Sequence, residues 1–269
     1  MNNMKRAVAQ LLTGSTIEED EGQVGFFAKM SRLFIYIAFI LMGLGNWSDT
    51  KELLTEGYQG FITHFTDRVE QKTLNTIRVG NYLAHVEASI GMPTIIKSST
   101  INESLKYRYY KQDKYLLTLI TEQQRVSGIV VHSLLNDSVI LDRFAPPIPF
   151  TGLHLLTDNI ESITQRSNDF FFDSHNLVYF MTTTDLGASG MQLQLAAGFT
   201  EYDGQQDHFK STLDELGQVL MLDETEKVAP LAKKLTTQAA NFYAVYEIDE
   251  QIIADSLLTR YEFNAYFKD

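Results

Sequence analysis

LKYRYYKQDKYLLTLITEQQRVSGIVVHSL, Leu105–Leu134, decides how this chain of 269 residues is built. It contains three runs rich in aromatic, β-branched and leucine side chains, Leu105–Tyr110, Tyr115–Thr121 and Val126–Leu134, which read as strands. The links Lys111-Gln112-Asp113-Lys114 and Glu122-Gln123-Gln124-Arg125 are short and polar, as hairpin loops are. In the middle run Tyr115, Leu117 and Leu119 alternate with Leu116, Thr118 and Ile120. Both faces therefore carry apolar groups, and the strand is expected inside a sheet.

Upstream, Thr94–Lys97 suggests one more strand. Before it, Leu83, Val86 and Ile90 recur at spacings of three and four, which predicts a helix introduced by Gly80-Asn81 and ended by Gly91 and Pro93. The unit is a helix leading into an antiparallel meander.

Val79-Gly80-Asn81, Val86, Ile90-Gly91-Met92-Pro93, then Tyr107-Arg108-Tyr109-Tyr110, Leu117-Thr118-Leu119-Ile120 and Val126 together resemble the helix–Gly-x-Pro–meander pattern of the SmpA/OmlA envelope lipoproteins. The resemblance covers about residues 79–134. The chain departs from that family in having no lipobox cysteine and an apolar segment in its place. As a whole it is similar to enterobacterial membrane-anchored proteins with an extracellular or periplasmic domain of unknown function. The resemblance implies a binding or scaffold role at the envelope.

Downstream, Phe144-Ala145-Pro146-Pro147-Ile148-Pro149-Phe150 holds three of the chain's five prolines. Proline fixes φ and donates no hydrogen bond, so this stretch is expected to be an extended connector. The interleaved Phe144, Ile148 and Phe150 favour a packed crossover over an exposed polyproline ligand. A second lobe follows, with strands at Leu177–Thr184 and Phe170–Phe172. Gly187, Gly190, Gly198 and Gly204 are expected in loops and turns. Helices are predicted over Phe209–Met221, with Leu213, Leu216 and Leu220 on one face, over Val228–Tyr246, and over Asp249–Arg260. The aromatic alternation of Tyr261–Phe267 suits a last strand.

Toward the amino terminus, Leu33–Gly45 has no charged or strongly polar side chain. Between Arg32 and Asp49 lie sixteen uncharged residues, a helical reach of ~24 Å against a bilayer core of ~30 Å. Snorkelling by Arg32 and an interfacial Trp47 narrow that gap. The alternatives are a buried helix of a soluble domain and a cleavable signal peptide ending at Gly43-Leu44-Gly45. The first normally keeps a polar stripe. The second would have an n-region of thirty-two residues containing Glu18-Glu19-Asp20-Glu21. A single-pass signal-anchor in the plasma membrane is the better reading. Lys29 and Arg32 before the segment, against Lys51 after it, favour a C-terminal domain outside the cytoplasm.

Around this segment, Val8, Leu11 and Leu12 with Gly14, then Ser15-Thr16-Ile17-Glu18, suggest a short helix and a capping box. Leu54, Tyr58, Phe61, Phe65 and Val69 predict an amphipathic helix from Asp49 to about Asn75. On it, Gly57 and Gly60 permit close approach to another helix, in this chain or in a second copy, which leaves homo-oligomerisation open.

Four each of the basic and acidic residues precede Ser48. Eighteen of the 22 Lys and Arg and thirty of the 34 Asp and Glu therefore follow it. The net charge of −12 lies in the C-terminal part, which argues against nucleic acid as a partner and against docking on anionic lipid. With no cysteine, disulfides, thiolate metal sites and cysteine nucleophiles are excluded. No spacing marks a zinc site, a nucleophile elbow or a phosphate-binding loop, and no cofactor is expected.

Asp173-Ser174-His175 and Asp203, Asp207 and His208 place acids near bases, but adjacent residues of a strand point to opposite faces. Solvated turns are the simpler reading. His85 is expected partly buried on its helix and His64 on a helix surface. More suggestive is Tyr107, Arg108, Tyr109 and Tyr110, whose composition suits a partner-binding strand. Tyr107 and Tyr109 would share one face and Arg108 and Tyr110 the other, and a core strand with a polar rim is the alternative.

The sequence thus predicts an α+β protein. Its parts are an arm (1–31), a transmembrane segment (32–48), a connecting amphipathic helix (49–78), a helix–meander lobe (79–143) and a second α+β lobe (144–269). The expected function is a membrane-anchored, non-enzymatic binding or scaffold module of the bacterial envelope with an unknown protein partner. The alternative is a membrane-tethered hydrolase or effector with a site assembled from Asp173, His175, Asp203 and His208.

Overall fold

The computed structural model describes residues 33–37, 67–134, 144–165, 167, 169–202 and 207–267. The chain divides into residues 1–66, of which 33–37 are helical with exposed side chains, and residues 67–269, which hold a sheet with helices around it. Most of Leu33–Gly45, the Met1–Ser31 arm, Gly57, Gly60 and His64 lie outside the described residues. Among the described residues no helix is long and apolar enough to cross a membrane.

The helix expected to end near Asn75 is described from α1 (Arg68–Thr76). Lys114 lies 2.8 Å from Asp67 and 3.6 Å from Glu70, which ties α1 to the rest of the unit. Helix α2 (Leu83–Ile90) buries Leu83 and Val86, leaves His85 exposed, and stops at Gly91. The φ there is +85°, a conformation that strains every residue but glycine. The meander then runs through β1 (Ile95–Ser98), β2 (Leu105–Lys111), β3 (Tyr115–Glu122) and β4 (Arg125–Ser133). Each strand pairs antiparallel with the next, and only Glu122 of β3 is exposed.

The C-terminal part holds α3 (Ile160–Ile163), β5 (Phe170–Asp173), β6 (Tyr179–Asp185) and β7 (Gln194–Thr200). These are followed by α4 (Asp207–Met221), α5 (Thr225–Thr236), β8 (Phe242–Tyr246), α6 (Glu250–Ser256) and α7 (Arg260–Phe267).

Several expectations are corrected here. Gly198 sits inside β7, because a Cβ at that position would stand 2.1 Å from the Phe180 carbonyl oxygen. The glycine permits a close strand approach where a turn was expected. The helix predicted over Val228–Tyr246 breaks after Thr236, and Phe242–Tyr246 is a fully buried strand. Five apolar residues of that kind have no periodicity that separates strand from helix. Finally, Tyr261–Phe267 belongs to a helix. Thr259 and Glu262 form a reciprocal capping box, in which the Thr259 amide donates to Oε2 of Glu262 over 2.9 Å and the Glu262 amide to Oγ1 of Thr259 over 3.1 Å. In α4, Leu213 and Leu216 are buried as expected, whereas Leu220 is exposed and Val219 is buried in its place.

All eight strands form one antiparallel sheet in the order β1-β2-β3-β4-β8-β7-β6-β5. The fold is α+β. The order reads as two four-stranded halves meeting at their last strands, with Gly128 opposite Tyr246 and His132 opposite Phe242. Residues 79–143 and 144–269 thus share a continuous sheet. Helices cover both faces. On the first, Leu213, Leu216 and Leu235 of α4 and α5, with Ile163 of α3, pack on Leu117, Leu119, Phe180 and Phe199. On the second, Ile252 and Ile253 of α6 and Phe263 of α7 pack with Tyr107, Tyr109, Ile120 and Tyr246.

Candidate functional site: an apolar cavity over the central strands

Strands β4 and β8 are neighbours at the middle of the sheet, so Ile129 and Val131 of one stand opposite Val245 and Tyr243 of the other. These four side chains form an apolar floor on the first face. The covering elements do not close over it. They leave a cavity of about 250 Å³.

One wall is α1 and the turn after it, which bring Gln71, Leu74 and Asn75, then Ile77 and Val79. A second wall is the proline stretch, represented by Pro146, Pro147 and Pro149. That stretch is held in shape at both ends. The Ser133 hydroxyl donates to the Phe144 carbonyl at 2.5 Å, and the Phe144 ring packs on Tyr115 with centroids 5.5 Å apart. Further on, the Ile148 amide donates to Leu153 over 2.7 Å and the Leu155 amide to Pro146 over 3.1 Å. Met191 and Leu193, from the β6–β7 connection, complete the lining.

Two residues at the mouth adopt left-handed backbone conformations, Phe150 at φ +67° and Met191 at φ +59°. For side chains of that size this costs on the order of 1–3 kcal/mol each. They are also half exposed, at 51% and 59%. Backbone strain at exposed apolar residues around a cavity marks a site where shape matters more than stability.

The polar side chains of the cavity walls stand on one side. Gln71, Asn75 and Arg78 all come from α1 and the turn beyond it. The Arg78 amide donates to Oδ1 of Asn81 at 2.7 Å, which fixes the backbone and leaves the guanidinium exposed. That guanidinium has no acidic partner among the described residues. The Tyr243 hydroxyl is pushed well above its ordinary range by burial and stays neutral. Among the described residues that line the cavity there is no Ser, Thr, Cys, His, Asp, Glu or Lys, and its apolar floor can hold an apolar group.

The aromatic strand Tyr107–Tyr110 is placed elsewhere, in the core. Its residues divide between the faces as the alternation predicts, Tyr107 and Tyr109 to the second and Tyr110 to the first. All three rings are buried. The Tyr107 hydroxyl donates to Asp255 over 2.5 Å, the Tyr109 hydroxyl donates to the Ser256 carbonyl over 2.9 Å, and Arg108 lies 3.4 Å from Glu87.

His175 borders a separate cleft of about 190 Å³, which Glu201, Lys210 and Arg260 also line. Burial works to raise the Asp173 carboxyl, but the amides of Leu177, His175 and Asn176 donate to it and hold it below the usual range. Oδ1 of Asp173 is 3.6 Å from Nδ1 of His175, and Oγ of Ser174 is 3.3 Å from the same nitrogen. A catalytic relay needs the acid and the nucleophile on different ring nitrogens, so this trio cannot act as one. Ser174 is also buried, at 2% exposure, and its hydroxyl is the main cause holding the Asp214 carboxyl low. Asp203 and the side chains of Asp207 and His208 lie outside the described residues. Among the described residues no three His, Asp or Glu side chains come together to hold a metal ion.

The residue with the most unusual setting is His132, which the sequence did not single out. It is fully enclosed, with Nδ1 3.2 Å from the Thr200 hydroxyl and Nε2 without a partner. Its ring lies 4.5 Å from that of Tyr202 and 6.3 Å from that of Phe242. Burial lowers its pKa to about 3, so the ring is neutral.

Compared with protein-family models, with curated proteins and with solved structures, the chain gives no match. The site is therefore read from its own chemistry.

Proposed function

We propose that this chain is a membrane-anchored, non-enzymatic binding module of the bacterial envelope, and that the cavity over β4 and β8 takes an apolar ligand. The observation that carries the binding role is the cavity itself, with a largely apolar floor, one proline wall and strained apolar residues at its mouth. The anchoring role is supported by the uncharged run Leu33–Gly45 between Arg32 and Asp49, and the extracytoplasmic placement by Lys29 and Arg32 before that run. The acidic balance of the C-terminal part agrees with a module that stands clear of anionic lipid.

Two measurements test this reading. Reporter fusions at each end, with fractionation and external protease, should place the chain in the membrane fraction with an accessible C-terminus. Recovery in the soluble fraction would overturn the anchoring. For the cavity, the full chain is placed in phosphatidylcholine nanodiscs with ¹³C-methyl methionine. n-Octanol should then shift the Met191 resonance, identified by its loss in Met191→Leu. Val131→Phe, which fills the floor, should abolish that shift. An unmoved Met191 signal sinks the binding role.

A further inference from the structure

We propose that the cavity receives the alkyl chain of a fatty-acid-type carboxylate, with the carboxylate paired to Arg78 at the mouth; this rests on the binding role proposed above. The argument starts from the floor. Strand β4 is paired with β3 on one side and β8 on the other, and β8 with β4 and β7. Their backbone groups face those neighbours, so the floor offers no ladder to an incoming peptide. A peptide seated there would leave its own amides unpaired in an apolar setting, which is unfavourable. An alkyl chain has no such groups to satisfy.

Size points the same way. A cavity of about 250 Å³ is many times the ~10–15 Å³ that admits a single water. A short unbranched chain has room there, whereas a bulkier ligand would have to extend past Phe150 and Met191.

The polar groups then settle the head. Apart from the buried Tyr243 hydroxyl of the floor, the polar side chains lie on one side, in Gln71, Asn75 and Arg78. In a chain of net charge −12, several cations among the described residues are held by acids. Arg125 pairs with Glu247, Lys97 with Glu262 and Lys227 with Glu224. Arg78 has no acidic partner among the described residues, although it stands beside an apolar cavity. A guanidinium presents a planar fork that fits a carboxylate with two parallel hydrogen bonds, and the two amides beside it add donors. An apolar chain with an anionic end satisfies both parts of the site together.

The Met191 methyl signal of the full chain also tests this assignment, with octanoate and n-octanol titrated against wild type and Arg78→Gln. Comparing one ligand across two proteins cancels its partition into lipid. Arg78→Gln should weaken octanoate about fivefold, the effect of one ion pair at an exposed rim, and leave octanol unchanged. Arg78→Lys should recover part of the octanoate affinity, since it restores charge without the fork. Retained octanol binding shows that the variant is folded. If Arg78→Gln leaves both ligands unaffected, the carboxylate assignment falls and the apolar binding role stands. If neither ligand moves Met191 in wild type, both fall.

Discussion

The two faces of the sheet are covered by different means. On the first, α4 and α5 are fifteen and twelve residues long and pack by apolar stripes, and a cavity is left beyond them, between α1 and the proline stretch. On the second, α6 and α7 have only seven and eight residues. Helices that short do not hold themselves together in water. They are pinned by polar bonds to the strands. Asp255 of α6 accepts from the Ser99 hydroxyl at 2.8 Å, the Thr100 amide at 2.9 Å and the hydroxyls of Thr100 and Tyr107 at 2.5 Å. Glu262 of α7 is 2.5 Å from Lys97, and the amide of Leu258, between α6 and α7, donates to Tyr202 at 2.6 Å. Directional bonds fix one arrangement of short helices, while non-directional packing tolerates a gap. The face with the gap is the one that carries the candidate site.

The sharpest way to break this contrast is pH, because the second face also encloses His132. Its folded pKa of about 3 lies below the ordinary 6.5, so the unfolded chain takes up the proton first. The stability from keeping the ring neutral is complete above pH 6.5 and is lost as pH falls from there toward 3. At pH 5 this amounts to about 2 kcal/mol. Urea unfolding at pH 7.5 and pH 5 should show that loss in wild type, and His132→Gln should reduce it by about the same amount. Equal pH dependence in the two proteins would mean the ring is not enclosed.

A smaller effect is expected at Asp255, whose carboxyl is raised by burial but lowered more by its bonds to Thr100, Tyr107 and Ser99. Asp255→Asn should cost about 1–2 kcal/mol. Amide exchange should speed up in α6 and α7 and stay unchanged in α4 and α5; acceleration on both faces would show that they are not held independently. The smallest effect is at the rim of the cavity. Phe150→Gly relieves left-handed strain at a half-exposed site and should stabilise the protein by about 0.5–1 kcal/mol. A loss of stability there would show that the Phe150 ring contributes more by packing than its backbone conformation costs.

The first four strands were legible in the sequence because their contacts are local. Short polar links join β2 to β3 and β3 to β4, and β1 follows directly on the Gly91–Pro93 stop. The second half was less so. Between β7 and β8 stand two helices, and β8 is defined by partners far away in the chain, β4 and β7. Without them, Phe242–Tyr246 has no pattern to distinguish strand from helix. At the C-terminus, aromatic alternation was read as a strand where the Thr259–Glu262 cap makes a helix. As for the site, the proline stretch was recognised as a packed connector, and Phe144 and Ile148 are buried in it. Arg78, Met191 and the floor residues had no sequence signal as a group, since a cavity between distant elements is created only when those elements meet. The left-handed Phe150 and Met191 likewise carry no glycine or asparagine to announce them.

The place of β8 at the centre of the sheet has a consequence for biogenesis. As the chain emerges, its first seven strands can form two separate sheets, and the strand that joins them comes only at residues 242–246. Until then both β4 and β7 present an open edge, the arrangement most prone to wrong pairing. A nascent chain stalled before Phe242 would carry two templates for aggregation, and one residue stretch near the C-terminus removes both at once.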